Sequence, residues 1–264
     1  MKQTVKTICQ LKKEQKKITM LTSYDYTMAK IVDEVGIEIV LVGDSLSNVF
    51  QGNDTTVPVT IEEMIYHGKA VVKGIKNALV VIDMPFGSYQ INEDRAVENA
   101  IRIIKETNAQ AIKLEGGIEI ENSIKRITDA GIPVMGHLGL TPQSIHQFGS
   151  FELQATTKTA QDKLLKDAIA LEKAGCFALV LEKVPAKIGK KITTALTIPV
   201  IGIGAGNACD GQVLVINDLI GLDPTFKPKF VRQYLNAHSL ISAAVKKYLL
   251  DVKEHNFPNE KESY

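Results

Sequence analysis

Four times in this chain a helical stretch runs into a glycine and then directly into an apolar strand. The segments are DEVG-IEIVLVG at Gly36, VVKG-IKNALVVID at Gly74, TDAG-IPVMGHL at Gly131 and EKAG-CFALVLE at Gly175. A glycine just past a helix takes the left-handed cap conformation without a Cβ penalty, so the strand can follow at once. Each strand is a continuous apolar run, the pattern of a strand buried on both faces. A chain built from such units must cover a parallel sheet with helices. That leaves an open doubly wound sheet or a closed barrel.

The strand count chooses between them. Apolar segments fall near residues 18–23, 38–43, 78–83, 110–115, 132–137, 177–182, 198–202 and 213–216. Eight strands separated mostly by helical segments predict an α/β fold, a (β/α)8 TIM barrel with additional C-terminal helices. No composition shift or Pro/Ser linker divides the sequence, so residues 1–264 are expected as one domain, with a polar tail from about residue 256. Helix starts are legible too. Thr60 with Glu63 reads as a capping box, and Thr22 or Ser23 is expected to cap DYTMAKIVDEVG.

Positive and negative residues are interspersed to a net charge of +1, with no basic stripe of the kind nucleic acid requires. The charged start MKQTVKTICQLKKEQKK is unlike a signal peptide, and no apolar run reaches the 18 or so residues needed to cross a bilayer. A cytoplasmic protein is expected, without membrane or nucleic-acid partners. Cys9, Cys176 and Cys209 form no CxxC pair, which fits reduced thiols. Cys176 reads as a small core residue. Cys209 lies in a polar, glycine-rich segment, where a catalytic thiol is the lesser alternative because no activating base is evident.

Four apolar runs stop at an acid: IVLVGDS at Asp44, LVVIDMP at Asp83, AIKLEGG at Glu115 and ALVLEKV at Glu182. One acid at a strand end can simply cap a helix or solvate a turn. Four at equivalent positions of a repeating unit place carboxylates together at the C-terminal mouth of the sheet, where barrel enzymes carry their sites. Such hard oxygen ligands suit Mg2+ better than Zn2+, and a carboxylate left over from metal binding can move a proton. Ser45 follows Asp44 in a GDS turn. Lys113 lies two residues from Glu115, hence on the same face of its strand, as a functional cation or a structural ion-pair partner. His137 closes IPVMGH at another strand end, as a polar contact or a hydrogen-bonded structural histidine. His67 and His146 have no partner visible in the sequence.

Two connections, Ser45 to Pro58 and Leu138 to about Lys158, are too long for plain turns and leave strand C-terminal ends, so they are candidates for a lid or substrate clamp. IGIGAGNACDGQ carries Gly202, Gly204, Gly206 and Gly211, for either close backbone approach to an anion or tight packing.

Read together, YDYTMAK, LVGDS, QGNDTTVPVT, DMPFGSY, KLEGG, GHLGLTPQS, LVLEKVP and PVIGIGAGNACDGQVLV resemble the ketopantoate hydroxymethyltransferase family from about Thr22 to about Phe230. The resemblance implies a (β/α)8 barrel of the phosphoenolpyruvate/pyruvate superfamily. It also implies C-terminal helices exchanged between subunits and a homo-oligomer, with a decamer expected. It implies Mg2+ on Asp44, Asp83 and Glu115. Keto-acid contacts would fall on Asp44, Ser45, Asp83, Lys113 and His137, and Glu182 would be the proton acceptor. The implied reaction carries a hydroxymethyl group from 5,10-methylenetetrahydrofolate, the co-substrate, to 3-methyl-2-oxobutanoate. Its product is 2-dehydropantoate, on the route to pantothenate. The alternative is a metal-dependent C–C lyase of a 2-oxo or 2-hydroxy acid in the same superfamily. Two departures from the family pattern put loop conformation in question. Ser47 stands where glycine or a bulkier apolar residue is usual, and Ala155 stands where glycine is expected.

Overall fold

A computed structural model describes residues 2–264. Along the chain run α1 (Val5–Lys13), β1 (Ile18–Thr22), α2 (Tyr26–Glu34), β2 (Ile39–Val42), α3 (Leu46–Val49), α4 (Ile61–Gly74), β3 (Leu79–Asp83), α5 (Glu93–Thr107), β4 (Ala111–Glu115) and α6 (Glu121–Asp129). They are followed by β5 (Val134–Gly139), α7 (Ile145–Phe148), α8 (Lys158–Lys173), β6 (Ala178–Glu182), α9 (Ala186–Ala195), β7 (Val200–Ile203), β8 (Gly211–Leu214), α10 (Ile216–Leu219) and α11 (Ala237–Lys253). The eight strands are parallel and pair in sequence order, and β8 closes back on β1. The expected TIM barrel is therefore present. The β7–β8 connection is an exception to the repeating unit, because residues 204–210 form a loop without a helix.

Strand parity divides the barrel interior into an apolar floor and a polar mouth. Residues two apart share a face, so Leu79, Val81 and Asp83 line one side of β3, and Ala111, Lys113 and Glu115 one side of β4. Met135 and His137 continue the set on β5, and Ala178, Val180 and Glu182 on β6. The first members of each set join Ile18, Met20, Ile39, Leu41, Ile201 and Val213 in one buried cluster, and the last members are the ionisable ones. Amphipathic α1 covers the apolar end: Ile8 is fully buried against that cluster, with Val5, Cys9 and Leu11 packed beside it. Lys12 fastens the helix by donating to Thr193 O and Ile198 O, both at 2.9 Å, and by pairing with Asp210 at 2.8 Å.

Several local expectations hold and others change. The Thr60–Glu63 capping box is formed. Gly36, Gly131 and Gly175 have φ of 90°, 86° and 104°, as helix-ending glycines require. Gly74 has no left-handed conformation. It is the last residue of α4, and a Cβ there would stand 2.7 Å from Tyr26 O and 2.8 Å from Ala29 Cβ, so it serves close packing of α4 on α2. The cap of α2 is Asp25, whose side chain accepts from Met28 N at 2.9 Å, and not Thr22 or Ser23. Those two still belong to the sheet, since Thr22 ends β1 and Ser23 N donates to Leu41 O. β5 and β8 are each displaced by two residues from the expected spans. β8 starts at Gly211, which pairs with both Ile18 and Ile201 where a Cβ would collide with Ile18 O.

The chain forms two compact units, the barrel up to Val215 and a C-terminal unit, Ile216–Tyr264. Within the second, Tyr234 N donates to Leu219 O at 2.8 Å and Ala237 N to Ile220 O at 2.9 Å, which ties the start of α11 to α10. Asn236 caps α11. Leu240, Ile241, Val245, Tyr248 and Leu249 along α11 are exposed. The tail is exposed and contains a short 3-10 turn, Glu260–Glu262, capped by Asn259. No helix among the described residues is long and apolar enough to cross a membrane.

Candidate active site

Barrel register assembles the acids that the sequence left at separate strand ends. Asp83 on β3 lies opposite Lys113 on β4, Glu115 on β4 opposite His137 on β5, and Gly139 on β5 opposite Glu182 on β6. The side chains meet at the mouth. Lys113 Nζ is 2.9 Å from His137 Nδ1, 3.1 Å from Asp83 Oδ1 and 3.6 Å from Glu115 Oε1. His137 Nδ1 is 3.0 Å from Glu115 Oε1, and its Nε2 is 3.3 Å from Glu182 Oε2. The side chains of Asp83, Lys113, Glu115 and His137 are at most 4% exposed, whereas Glu182 is 15% exposed and is the one with access from outside.

Asp44 joins from the end of β2, its backbone N–H donating to Asp83 Oδ2 at 3.0 Å. Ser45 Oγ is 2.8 Å from Tyr24 OH at the cluster's edge. A residue not singled out from the sequence ties the acids together. Gln143, 4% exposed, donates from Nε2 to Asp44 Oδ2 at 2.9 Å and from its backbone N–H to Glu115 Oε2 at 3.0 Å. It belongs to GHLGLTPQS, but a loop glutamine carries no charge or periodicity that would set it apart.

The electrostatics of this cluster are unbalanced. Three buried carboxylates face one ammonium, which leaves two negative charges uncompensated. Burial first, and then the Glu115 charge, raise the Asp44 carboxyl to about 7. Burial raises Asp83 to about 8 against the pull of Lys113. Burial also raises Glu115, which Lys113 partly offsets. Burial works against the Lys113 charge, but Asp83, Glu115 and Asp44 together hold it above the ordinary lysine range. His137 is neutral: burial and the Lys113 charge push it down to about 4. An ammonium has no acceptor, so the nitrogen beside Lys113 is assigned the lone pair and Nε2 the proton, directed at Glu182.

The excess negative charge, with Asp83 Oδ1 buried and engaged only by its ion pair with Lys113, fits a divalent cation with oxygen ligands. Among the described residues, no group of three or more His, Cys, Asp or Glu side chains forms a ready-made metal cage. This is compatible with Mg2+, which takes one or two carboxylates and fills its remaining positions with water and substrate.

Other candidates stand apart. Cys209 is 1% exposed, and burial raises its thiol, the opposite of what a nucleophile needs. His67 Nδ1 bonds Tyr24 O, and His146 is exposed on α7. Gly202 and Gly206 are accounted for by packing, against Cys209 Sγ and Ala186 Cβ respectively. The two long connections are not structureless, since they contain α3, a 3-10 turn at Pro142–Ser144, and α7. Ser47 is buried and its hydroxyl donates to Thr55 O at 2.8 Å, folding the first connection on itself. Ala155 sits at φ 52°, a left-handed conformation suited to glycine. A surface groove lined by Ile118, Lys125, Lys166 and Lys173 lies on the outer flank of α6 and α8 and contains none of the clustered acids.

Comparisons with known proteins bear on the fold and the family. A solved structure described as a putative phosphonomutase from Burkholderia cenocepacia shares the fold at a TM-score of 0.65 and 14% identity, over 92% of this chain and 99% of that one. Curated relatives named 3-methyl-2-oxobutanoate hydroxymethyltransferase are far nearer. The one from Bacteroides fragilis is 56% identical and the one from Phocaeicola vulgatus 54%, each over 100% of this chain and 96% of the relative. The family model described as ketopantoate hydroxymethyltransferase matches residues 2–260, which include every strand of the barrel and every acid at its mouth. On that match and those identities, the chain belongs to the ketopantoate hydroxymethyltransferase family.

Proposed function

We propose that the protein transfers a hydroxymethyl group from 5,10-methylenetetrahydrofolate to 3-methyl-2-oxobutanoate, giving 2-dehydropantoate. The observation that carries the reading is the buried Asp44–Asp83–Lys113–Glu115–His137 cluster, with Glu182 at its open edge, in a chain of this family. Asp44, Asp83 and Glu115 are the residues that would hold Mg2+. When bound, the ion supplies Lewis-acid polarisation of the keto acid's carbonyl. Ser45, Asp83, Lys113 and His137 would contact the keto acid. Lys113 would hold the negative charge that develops on the substrate oxygen as C3 loses its proton.

Glu182 would take that proton. Its access from outside and its place beside His137 Nε2–H suit a base that must meet substrate in a defined orientation. The C3 carbanion then forms a carbon–carbon bond with the methylene carbon of the folate, water supplies the hydroxyl oxygen, and that carbon's two bonds to folate nitrogens break, so that 2-dehydropantoate and tetrahydrofolate leave.

The exposed apolar side chains along α11 support a homo-oligomer, as the family implies, with the decamer as the expected assembly. The three free thiols support a cytoplasmic location.

The test is Glu182→Gln with deuterium exchange at C3 of 3-methyl-2-oxobutanoate, read by NMR without folate. We expect exchange to fall by at least about a hundredfold, the lower range for removal of a positioned base. Exchange at the wild-type rate would remove Glu182 as the base. Turnover of the keto acid indifferent to methylenetetrahydrofolate would replace this reading with the lyase alternative.

A further inference from the structure

The three buried acids share a pattern. Each has one oxygen held by an N–H donor: Asp83 Oδ2 by the Asp44 backbone, Asp44 Oδ2 by Gln143 Nε2, and Glu115 Oε2 by the Gln143 backbone. The opposite oxygens of Asp83 and Glu115 are the ones that face Lys113. Two of the three clamps belong to one residue. Gln143 thus joins the ends of β2 and β4 from a turn that follows β5.

The Gln143 side chain is itself locked. Nε2 lies 2.9 Å from both Asp44 Oδ2 and Met84 O, two groups that accept when the carboxylate is ionised, so this end of the amide is the NH2 and both its hydrogens are used. Oε1 is 2.7 Å from Tyr89 OH and 3.2 Å from Gln90 Nε2. Tyr89, 1% exposed, is held in turn by Glu115 N–H donating to its hydroxyl at 3.1 Å. An amide with both donors and its acceptor engaged has one orientation, and a buried network satisfied in this way rigidifies what it touches. A carboxylate with one oxygen clamped presents the other in a defined direction, which ligand binding rewards by avoiding reorganisation.

We propose that Gln143 is a positioning residue for the Mg2+ and keto-acid site, setting the orientation of Asp44 and Glu115 without touching substrate itself. The proposal rests on the reading of these acids as the cation and keto-acid site. Its neutral amide is essential, because a carboxylate in its place would turn a donor toward Asp44 into a repelling charge.

The experiment measures binding rather than turnover. Mn2+ binding to the folate-free enzyme is followed by electron paramagnetic resonance, and 3-methyl-2-oxobutanoate binding in Mg2+ by calorimetry, for wild type, Gln143→Leu, Gln143→Glu and Tyr89→Phe. Leucine keeps the bulk of the side chain and removes its hydrogen bonds. We expect at least tenfold weaker Mn2+ and keto-acid binding in Q143L, a comparable or larger loss in Q143E, and a smaller loss of twofold or more in Y89F. In steady state, KM for the keto acid should rise while KM for methylenetetrahydrofolate stays within twofold. Mn2+ and keto-acid affinities within twofold of wild type in a folded Q143L would overturn the proposal, as would unchanged affinities in Y89F if Q143L fails to fold. Wild type that binds neither Mn2+ nor keto acid would instead overturn the assignment of the acids, which keeps the two failures apart.

Discussion

Replacing Lys113 by methionine removes the ammonium at the centre of the cluster while keeping most of its volume. At an effective dielectric constant near 20, charges separated by the 3.1 and 3.6 Å found for Asp83 and Glu115 attract by ~5 kcal/mol each. Relief from burying the ammonium offsets part of that loss, and breaking a buried pair typically leaves a net cost of about 3–5 kcal/mol. The cost applies only while the acids are ionised. Their folded-state values are raised, Asp44 to about 7 and Asp83 to about 8, so the folded chain holds protons that the unfolded chain releases near pH 4. The contribution of Asp44 and Asp83 to wild-type stability without metal therefore falls as pH rises from about 4 through about 8, while His137, lowered to about 4, contributes in the opposite sense between about 4 and 6.5. Lys113 is raised in the folded state and protonated in both states below about pH 10, so it adds no slope in that window. In K113M the acids lose the charge that pulled them down and protonate more readily. The penalty should be about 3–5 kcal/mol at pH 9 and below ~1 kcal/mol, or reversed, at pH 5.5. The assay is urea unfolding in EDTA at one fixed protein concentration, since assembly would otherwise shift the midpoint. A penalty equal at both pH values, or one under ~1 kcal/mol at pH 9, would refute the charge argument.

Three further outcomes follow from local geometry. Ala155→Gly relieves a left-handed backbone and should stabilise the protein by up to about 1 kcal/mol in thermal unfolding; a loss of stability would show that the side chain of Ala155 matters more than its φ of 52°. Ile8→Ala, at the centre of the α1 plug, should cost about 2–5 kcal/mol, and a change under ~1 kcal/mol would mean that the barrel floor closes without it. With a thiol-specific chromogenic reagent in the native state, the half-buried Cys9 should react first. Cys176, raised to about 12 by burial, and Cys209 should react only at the rate of unfolding, so three fast-reacting thiols would contradict the packing.

Much of the site was readable because strand endings are local features. Asp44, Asp83, Glu115 and Glu182 each close an apolar run, and parity alone places Lys113 on the face of Glu115. The helix-ending glycines and the Thr60 cap were readable for the same reason, since each acts within a few residues of itself. Gln143 was not readable. Its partners Asp44 and Glu115 are distant in sequence, and nothing in TPQS distinguishes a buried clamp from a solvated turn. Gly74 misled for a related reason, because its position at a helix end suggested a cap while the constraint came from α2 packed across it.

The sequence by itself determined the eight strands of the barrel and the acids at its mouth, because period and parity are properties of consecutive residues. Only the tertiary structure decided which charges meet. The Asp83–Lys113 and Glu115–His137 register, the neutral His137 directed at Glu182, and the clamp of Gln143 on two acids exist because neighbouring strands pair in one register and the barrel brings their ends together. Closure buries ionisable groups from different strands in one small volume, and their energies then depend on distances between residues far apart in the chain.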